Sequence, residues 1–246
     1  MDKTIPSLAE AVSAIPDGAT VMIGGFGGSG APIELIHALI DRFIETGSPN
    51  GLTVVNNNAG NGHVGLAALI ELGMVAKLIC SYPRSADPRV FTERYLAGEI
   101  ELELVPQGTL AERIRAGGAG IPAFFTPTGY GTDLAEGKPV ASFDGKPYVR
   151  EAWLKADVAL VKAHKADRFG NLVFNKAARN FGPAMCMAAA NAIVQVSEIV
   201  EPGAIDPEHV VTPGIFVQGV VEISDPAQEE FLNRANAVYP EKALSW

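Results

Sequence analysis

A cluster of glycines near the start of the chain offers residue types that can bind a negatively charged group. Five of them lie within seven residues, at Gly24, Gly25, Gly27, Gly28 and Gly30. The apolar residues 21–23 before the cluster are typical of a buried strand, and Pro32 after it suits the first turn of a helix, where Glu34 adds negative charge. Glycines let a backbone approach a ligand closely, and free N–H groups favour an anion or a developing oxyanion. The alternative is a tight strand-to-helix turn without a ligand.

Two common motifs match this loop incompletely. Residues 25–30 fit the dinucleotide fingerprint G-x-G-x-x-G, which requires an acidic residue at the end of the next strand to hold a ribose hydroxyl. The next predicted strand, residues 52–55, ends instead in three asparagines, so a nicotinamide-dependent oxidoreductase is an alternative that lacks a necessary residue. Ser29 nearly fits the nucleophile elbow G-x-S-x-G, but Ala31 replaces its second glycine, so we interpret Ser29 as a loop residue.

No other residue carries the sequence signs of an activated nucleophile or of a metal ligand. Four histidines are present, and none has metal-ligand spacing to another histidine or to a cysteine: His37, His63, His164 and His209. Cys80 ends an apolar strand and is expected in the core. Four acidic residues on predicted helices or on a strand face are expected to be solvated: Glu34, Glu71, Glu101 and Glu103. The chain therefore predicts no metal site.

Strands and helices alternate from residue 20 to residue 117, which indicates an α/β fold with an open, mainly parallel sheet and helices on both faces. In such sheets, ligands lie beyond the carboxyl ends of the strands. Three loops are expected there: the glycine loop, the asparagine run 56–58 and Pro106-Gln107-Gly108. In turns, asparagines also hydrogen-bond their own backbone, which is the alternative role for that run. Alternation of apolar residues with glutamates over residues 100–105 predicts a strand with one wet face at a sheet edge.

The second half of the chain is richer in turn residues and predicts more strands. Hairpin turns are expected at residues 144–145 and 167–171. Predicted strands cover residues 157–163, 193–200 and 215–221, and a predicted helix covers residues 184–190. We expect a single domain, residues 1–246, in which the β-richer residues 118–246 pack on the alternating residues 1–117.

Composition excludes several classes of function. The 246 residues are 48% hydrophobic, enough for a substantial core, and the formal net charge of −9 argues against nucleic acid as a partner. The N-terminal residues lack the apolar core of a signal peptide, and no apolar run approaches the length of a membrane span. Because the only two cysteines, Cys80 and Cys186, cannot form a disulfide framework, a reducing cytoplasm is the expected location, without membrane association.

Residues 17–32 as a whole resemble the first signature of the family I coenzyme A transferases. That signature is an Asp-Gly pair, two residues, three apolar residues, Gly-Gly-Phe, three residues, Gly, one residue and Pro, and every position matches. Four further segments resemble the A subunits of 3-oxoacid CoA-transferases, at residues 57–60, 106–132, 162–171 and 176–183. Residues 81–87 and 162–183 are most similar to the 3-oxoadipate enzymes of aromatic catabolism. The resemblance therefore covers most of the chain.

This resemblance implies a subunit that works with a second chain. The family forms a covalent intermediate on a glutamate in a Ser-Glu-Asn-Gly motif, which is absent from these 246 residues. The implied partner is a B subunit that carries this motif, in an A2B2 heterotetramer. The implied ping-pong reaction moves CoA from succinyl-CoA to a 3-oxo acid, with 3-oxoadipate favoured and acetoacetate next. Coenzyme A esters are then substrates, and no further cofactor is expected.

The resemblance also implies roles for residues of this chain. Gln107 matches the glutamine of the family's Pro-Gln-Gly motif, whose amide stabilises an oxyanion; the alternative is a glutamine that only closes a turn. Substrate-binding positions are implied in the first two loops, at Gly24, Gly25, Phe26, Gly27, Asn57 and Asn58.

One arginine is a candidate for substrate choice. Arg84 follows the predicted strand 77–81, and its side chain could bind the second carboxylate of 3-oxoadipate through two parallel hydrogen bonds. Arg89 is a competitor for that role, and simple surface exposure of Arg84 is the alternative. A non-catalytic sensor of CoA esters or sugar phosphates is the remaining alternative function.

Overall fold

The computed structural model describes residues 2–226 of the chain. The helices of this region are α1 Leu8–Val12, α2 Ile33–Thr46, α3 Leu66–Glu71, α4 Arg89–Leu96, α5 Gln107–Ala119 and α6 Gly182–Ala188. Its strands are β1 Thr20–Ile23, β2 Leu52–Val55, β3 Val75–Cys80, β4 Glu101–Leu104, β5 Ala123–Thr126, β6 Val140–Phe143, β7 Lys146–Ala152, β8 Ala156–Lys162, β9 Lys165–Asp167, β10 Leu172–Val173, β11 Ala189–Val196, β12 Glu198–Val200 and β13 Gly219–Glu222. In the same region, no helix is long and apolar enough to cross a membrane.

A seven-stranded parallel sheet forms the centre of the described residues. Its strand order is β13-β11-β8-β1-β2-β3-β4, and each neighbouring pair is parallel. Strand β1 lies in the middle, where the chain order changes from β2 on one side to β8 on the other. Such a change of direction is the place where open α/β sheets bind ligands at their carboxyl edge. The predicted α/β class with a mainly parallel sheet is confirmed.

Helices cover both faces of this sheet, also as predicted. Helices α1 to α4 pack on one face, where Leu35 and Leu39 of α2 contact a core that includes Val21 and Ile23 of β1. Helices α5 and α6 pack on the other face, in the cluster that contains Met22. Because side chains alternate along a strand, the three apolar residues of β1 supply both cores.

Two small sheets account for the β-rich character of the second half. One has the order β5-β7-β6 and the other β10-β9-β12. The hairpins predicted at residues 144–145 and 167–171 are present, joining β6 to β7 and β9 to β10. Asp144 and Gly145 both have positive φ, +50° and +73°, as a type I′ hairpin turn requires.

Several expectations about local structure were wrong in detail. The sequence predicts a helix over residues 109–116, but α5 begins earlier, at Gln107. The predicted strand 193–200 is split between β11 and β12, which belong to different sheets. Residues 214–216 form a 3-10 turn and not the start of a strand. Glu34, expected to be solvated, is buried.

Strand β4 is the predicted sheet edge. The expected division into an exposed glutamate face and a buried apolar face does not hold for Glu103 and Leu104. Glu103 is half-buried because the guanidinium of Arg113 lies 2.7 Å and the ammonium of Lys77 3.1 Å from its carboxylate. These cations hold the pKa of Glu103 below its usual value, although burial alone would raise it. Leu104, in contrast, is 43% exposed.

Candidate active site

The three loops predicted at the carboxyl edge of the sheet line one cavity of about 590 Å³. It is bordered by Gly24, Gly25, Phe26 and Gly27 from the first loop, Asn57 and Asn58 from the second, and Gln107 from the third. Apolar side chains fill in the wall between them, at Ile23, Ile33, Ile36, Val64 and Leu66. The structure thus brings together every predicted site residue except Arg84.

The glycine loop is a small hairpin closed by its own backbone hydrogen bonds, and not an open loop whose N–H groups surround a phosphate. Phe26 and Ser29 exchange two backbone hydrogen bonds of 3.0 Å, which closes a two-residue turn at Gly27 and Gly28. Both glycines have positive φ, +56° and +86°, the geometry of a type I′ turn. Phe26 is about half exposed beside this tip. The hairpin therefore places an aromatic ring at the mouth of the cavity.

The side chain of Asn180, in the second half of the chain, is hydrogen-bonded to both strands of this hairpin. The Oδ1 atom of Asn180 accepts the N–H of Gly25 at 3.2 Å, and its Nδ2 atom donates to the carbonyl of Ser29 at 2.9 Å. A Cβ atom on Gly30 would overlap the carbonyl oxygen of Ala178, so the turn before Asn180 packs directly on the loop. Sequence reasoning missed Asn180, although it lies in segment 176–183, which carries some of the family resemblance.

We expect Gly30→Ala to destabilise the protein much more than Gly28→Ala. Both positions have positive φ, which costs a residue with a Cβ about 1–2 kcal/mol. Gly28 has open space around it, whereas Gly30 meets Ala178, so the unfolding free energy should fall by about 3 kcal/mol at Gly30 and by about 1 kcal/mol at Gly28. Denaturant unfolding of the two variants measures this; equal losses would contradict the contact with Ala178.

Backbone N–H groups in the first turn of α2 donate to acceptors within the protein. The carboxamide Oε1 of the buried Gln195, on β11, accepts the N–H of Leu35 at 3.1 Å, and the N–H of Ile33 is bonded to the carbonyl of Ala31. A dinucleotide fingerprint needs this turn free for a pyrophosphate. Its occupation by Gln195 is a second argument against the nicotinamide alternative, besides the missing acidic residue.

The three asparagines after β2 have different roles. Asn56 donates its Nδ2 to the carbonyl of Ile23 at 2.7 Å and so ties β2 to β1. Asn58 accepts the N–H of Gly60 with its Oδ1 at 2.8 Å, the self-bonded turn that such a run favours. Asn57 differs, because its Oδ1 accepts from Nε2 of Gln107 at 2.8 Å and from the hydroxyl of Ser81 at 2.9 Å. The second and third loops are therefore linked through Asn57.

Gln107 occupies the first position of α5, with an exposed side chain at the edge of the cavity. The positive end of the helix dipole lies at this position, and it favours developing negative charge nearby. The carboxamide itself is neutral and donates two N–H groups. One of them is directed to Asn57. The arrangement can stabilise an oxyanion without attracting a carboxylate into a salt bridge.

The other titratable candidates lack features of a catalytic nucleophile. Burial raises the pKa of the Cys80 and Cys186 thiols to about 12, which keeps both protonated. Burial lowers the pKa of His37, whose Nε2 accepts the N–H of Gly65 at 3.3 Å, so its ring is neutral. His63 lies 3.0 Å from the carboxylate of Glu71. Across residues 2–226, no group of three His, Cys, Asp or Glu side chains is placed to hold a metal ion.

The two arginines after β3 are in different environments. Arg89 donates two hydrogen bonds of 2.7 Å to the carboxylate of Asp87 and thereby holds the pKa of that group below its usual value. Arg84 is exposed, and no described side chain pairs with it. It does not line the cavity, but its neighbours Tyr82 and Ser85 do. Arg84 is therefore the arginine that is free to bind an added anion near the mouth.

Comparison with known proteins assigns the chain to one family. Residues 5–223 match the family model described as coenzyme A transferase. The chain belongs to this family. It is 60% identical over 227 residues to the A subunit of a 3-oxoadipate CoA-transferase of Pseudomonas putida, covering 92% of this chain and 96% of the relative. It is 54% identical to the A subunit of a succinyl-CoA:3-ketoacid coenzyme A transferase of Xanthomonas campestris, covering 86% and 85%.

A solved structure supports the same fold. An acyl-CoA transferase from Escherichia coli O157:H7, in a thioester complex with CoA, matches with a TM-score of 0.81 at 24% identity. The match covers 92% of this chain and 51% of that protein, so this coenzyme A transferase chain spans about half of that protein's length. At this identity the likeness concerns the fold.

Proposed function

We propose that this chain is the A subunit of an enzyme that transfers CoA from succinyl-CoA to a 3-oxo acid, with the nucleophilic glutamate supplied by a separate B subunit. One observation carries the proposal. Among the described residues that line the cavity, none is a carboxylate and none carries a charge at neutral pH. A coenzyme A transferase that works through a carboxylate nucleophile must therefore receive that group from outside this described lining, and the absence of Ser-Glu-Asn-Gly from the 246 residues supports a second chain as its source.

The proposed reaction has two symmetrical halves. The carboxylate of the partner's glutamate attacks the thioester carbonyl of succinyl-CoA, CoA leaves as the thiolate, and a mixed anhydride forms. The thiolate then attacks the glutamyl carbonyl, which releases succinate and leaves CoA bound to the glutamate as a thioester. The carboxylate of the 3-oxo acid repeats these steps in reverse. Each attack places negative charge on a carbonyl oxygen.

This chain would supply the surroundings in which that charge develops. The side-chain amide of Gln107, at the first position of α5, would offer a preorganised donor at the cavity. The apolar wall, which includes Ile33, Ile36 and Val64, would limit access of water to the anhydride and the thioester. Both intermediates hydrolyse if water competes with the acceptor acid, so an apolar wall suits the proposed mechanism.

The relatives support a 3-oxo acid as the acceptor and favour 3-oxoadipate. The relative at 60% identity is named for 3-oxoadipate, and the one at 54% for succinyl-CoA and a 3-keto acid. Both are named as A subunits, which supports a B partner, and we propose an A2B2 assembly. Co-expression with a chain that carries Ser-Glu-Asn-Gly, followed by CoA exchange from succinyl-CoA to several 3-oxo acids, tests the proposal. Failure of the pair to exchange CoA would contradict it.

Recognition of the second carboxylate of 3-oxoadipate is the role that we assign to Arg84 within this proposal. Its guanidinium is exposed and unpaired among the described residues, whereas Arg89 is held by Asp87. Pro83 restricts the backbone just before it, so the side chain starts from a fixed position. A planar guanidinium can receive a carboxylate through two parallel hydrogen bonds.

We expect Arg84→Ala to raise KM for 3-oxoadipate about tenfold in the assembled enzyme, because a charged hydrogen bond contributes about 1.5–3 kcal/mol. The KM for acetoacetate, which lacks the second carboxylate, should change much less. Arg84→Lys is the matched control: it keeps the charge but loses the two-bond geometry, and an intermediate KM is expected. Steady-state kinetics with both acids measures these effects. Equal changes for the two acids would mean that Arg84 does not bind the distal carboxylate.

A further inference from the structure

We propose that Asn57 is a positioning residue that fixes which end of the Gln107 carboxamide faces the reacting carbonyl. This inference rests on the proposed function, because it concerns the same oxyanion. A glutamine amide has two dissimilar ends, an NH2 group that donates and an oxygen that accepts. Only the NH2 end stabilises an oxyanion, whereas the oxygen would repel it. The orientation of the amide therefore decides whether Gln107 helps or hinders the reaction.

The contact between the two side chains selects the useful orientation. Nε2 of Gln107 lies 2.8 Å from Oδ1 of Asn57, so the NH2 end faces the asparagine. One N–H is used in this bond, and the second stays available on the same nitrogen. The described cavity lining contains no charged side chain that would compete for the amide. A rotated amide would bring two oxygen atoms together and lose the bond.

Asn57 can impose this orientation because it is itself held firmly. Asn57 is 5% exposed, and the hydroxyl of Ser81 lies 2.9 Å from the Oδ1 atom and 3.0 Å from the backbone carbonyl oxygen of Asn57. That carbonyl also accepts the backbone N–H groups of Ser81 and Tyr82, at 3.2 and 3.0 Å. The residues that follow β2 and β3 thus hold the side chain of Asn57 in place. Asn57 in turn orients the carboxamide of Gln107 at the start of α5.

A double-mutant cycle in the assembled enzyme tests this role. We expect Asn57→Ala to lower kcat about tenfold and to leave KM for both substrates within about twofold. In the Gln107→Ala background, where no amide is left to orient, Asn57→Ala should cause no further loss of kcat. If the two losses multiply, or if KM rises strongly, Asn57 acts on the substrate directly and the positioning role is wrong.

Asn58→Ala is the matched control, since Asn58 lies in the same turn but its Oδ1 accepts the N–H of Gly60 and not the amide of Gln107. Its effect should multiply with that of Gln107→Ala. Ser81→Ala is a milder second variant, which removes one hydroxyl beside Asn57. It should lower kcat about threefold and lose this effect in the Gln107→Ala background. If Ser81→Ala still lowers kcat in the Gln107→Ala background, Ser81 does not act through Asn57 and Gln107, and the proposed role is contradicted.

A spectroscopic measurement separates this inference from the proposed function. The chain has four glutamines, so selective ¹⁵N-glutamine labelling with Gln107→Ala as the reference assigns the side-chain NH2 signals of Gln107. In the full-length chain, Asn57→Ala should move these signals toward those of a solvated glutamine, and Asn58→Ala should leave them in place. Unchanged signals in Asn57→Ala would overturn the inference, whether or not the enzyme transfers CoA. An inactive wild-type pair would instead contradict only the proposed function.

Discussion

Purified alone, this chain should exchange CoA between succinyl-CoA and a 3-oxo acid at least about 10⁴-fold more slowly than the complex with its B subunit, because in the proposed mechanism that subunit supplies the covalent nucleophile. The described cavity lining offers no carboxylate, and the buried thiols have a pKa of about 12. The assay is CoA exchange by the isolated chain, by the isolated partner and by the mixture. Robust turnover by the chain alone would defeat the half-enzyme proposal.

The surface around the cavity supports the same expectation. Phe26 and Tyr82 line the mouth and are 48% and 60% exposed, and Leu104 is exposed at the carboxyl end of the edge strand β4. Exposed large apolar side chains that line the same cavity, as Phe26 and Tyr82 do, mark a surface that another chain covers. The isolated chain should therefore self-associate, and addition of the B subunit should reverse this in sedimentation experiments. A partner that carries Ser-Glu-Asn-Gly with the glutamate replaced by alanine is the control, since it should restore assembly without activity.

The elements of the fold that follow from local sequence were predicted well. Strands β1 and β2 are short apolar runs buried on both faces, and α2 has apolar residues at helical spacing, so local pattern and tertiary position agree. The position of three loops at one edge follows from the parallel order, since the carboxyl ends of parallel strands meet there. This is why the predicted glycine, asparagine and glutamine positions line one cavity.

The features that depend on distant contacts were not predictable. Asn180 lies 155 residues from Gly25, and Gln195 lies 160 residues from Leu35, yet each side chain completes the backbone bonds of the other segment. A single sequence contains no local sign of such pairs, because an asparagine or glutamine in a loop or strand has many possible partners. The burial of Glu34 has the same origin, since helical periodicity does not reveal which neighbours cover a residue.

The asparagine run 56–58 shows that residue type alone does not determine which group a side chain contacts. The turn role proposed for the run as a whole applies to Asn58, whereas Asn56 links two strands and Asn57 links two loops. Identical side chains differ here because the backbone directs them toward different neighbours. Residue type alone gave the donors and acceptors, and only the fold decided where each one is used.

Replacing Gln107 with alanine should lower kcat of the assembled enzyme about 10²-fold, the usual effect of removing one oxyanion donor. Folding should be unaffected, because alanine is well tolerated at the first position of α5 and the side chain of Gln107 is exposed. Asn57 would not be left without a donor, since the hydroxyl of Ser81 lies 2.9 Å from its Oδ1. Steady-state kinetics of the assembled variant, with thermal unfolding as the check on stability, gives the measurement.

The matched variant Gln107→Glu separates the effect of hydrogen-bond donation by the amide from the effect of side-chain size. A glutamate fills the same space, but its ionised carboxylate cannot donate and adds negative charge where the oxyanion forms. If donation by Gln107 stabilises that oxyanion, Gln107→Glu should lose at least as much kcat as Gln107→Ala. If Gln107 has only a structural role before α5, Gln107→Glu should lower thermal stability, because its carboxylate cannot donate to Oδ1 of Asn57, and should leave kcat near normal. Near-normal kcat in either variant would return Gln107 to that structural role.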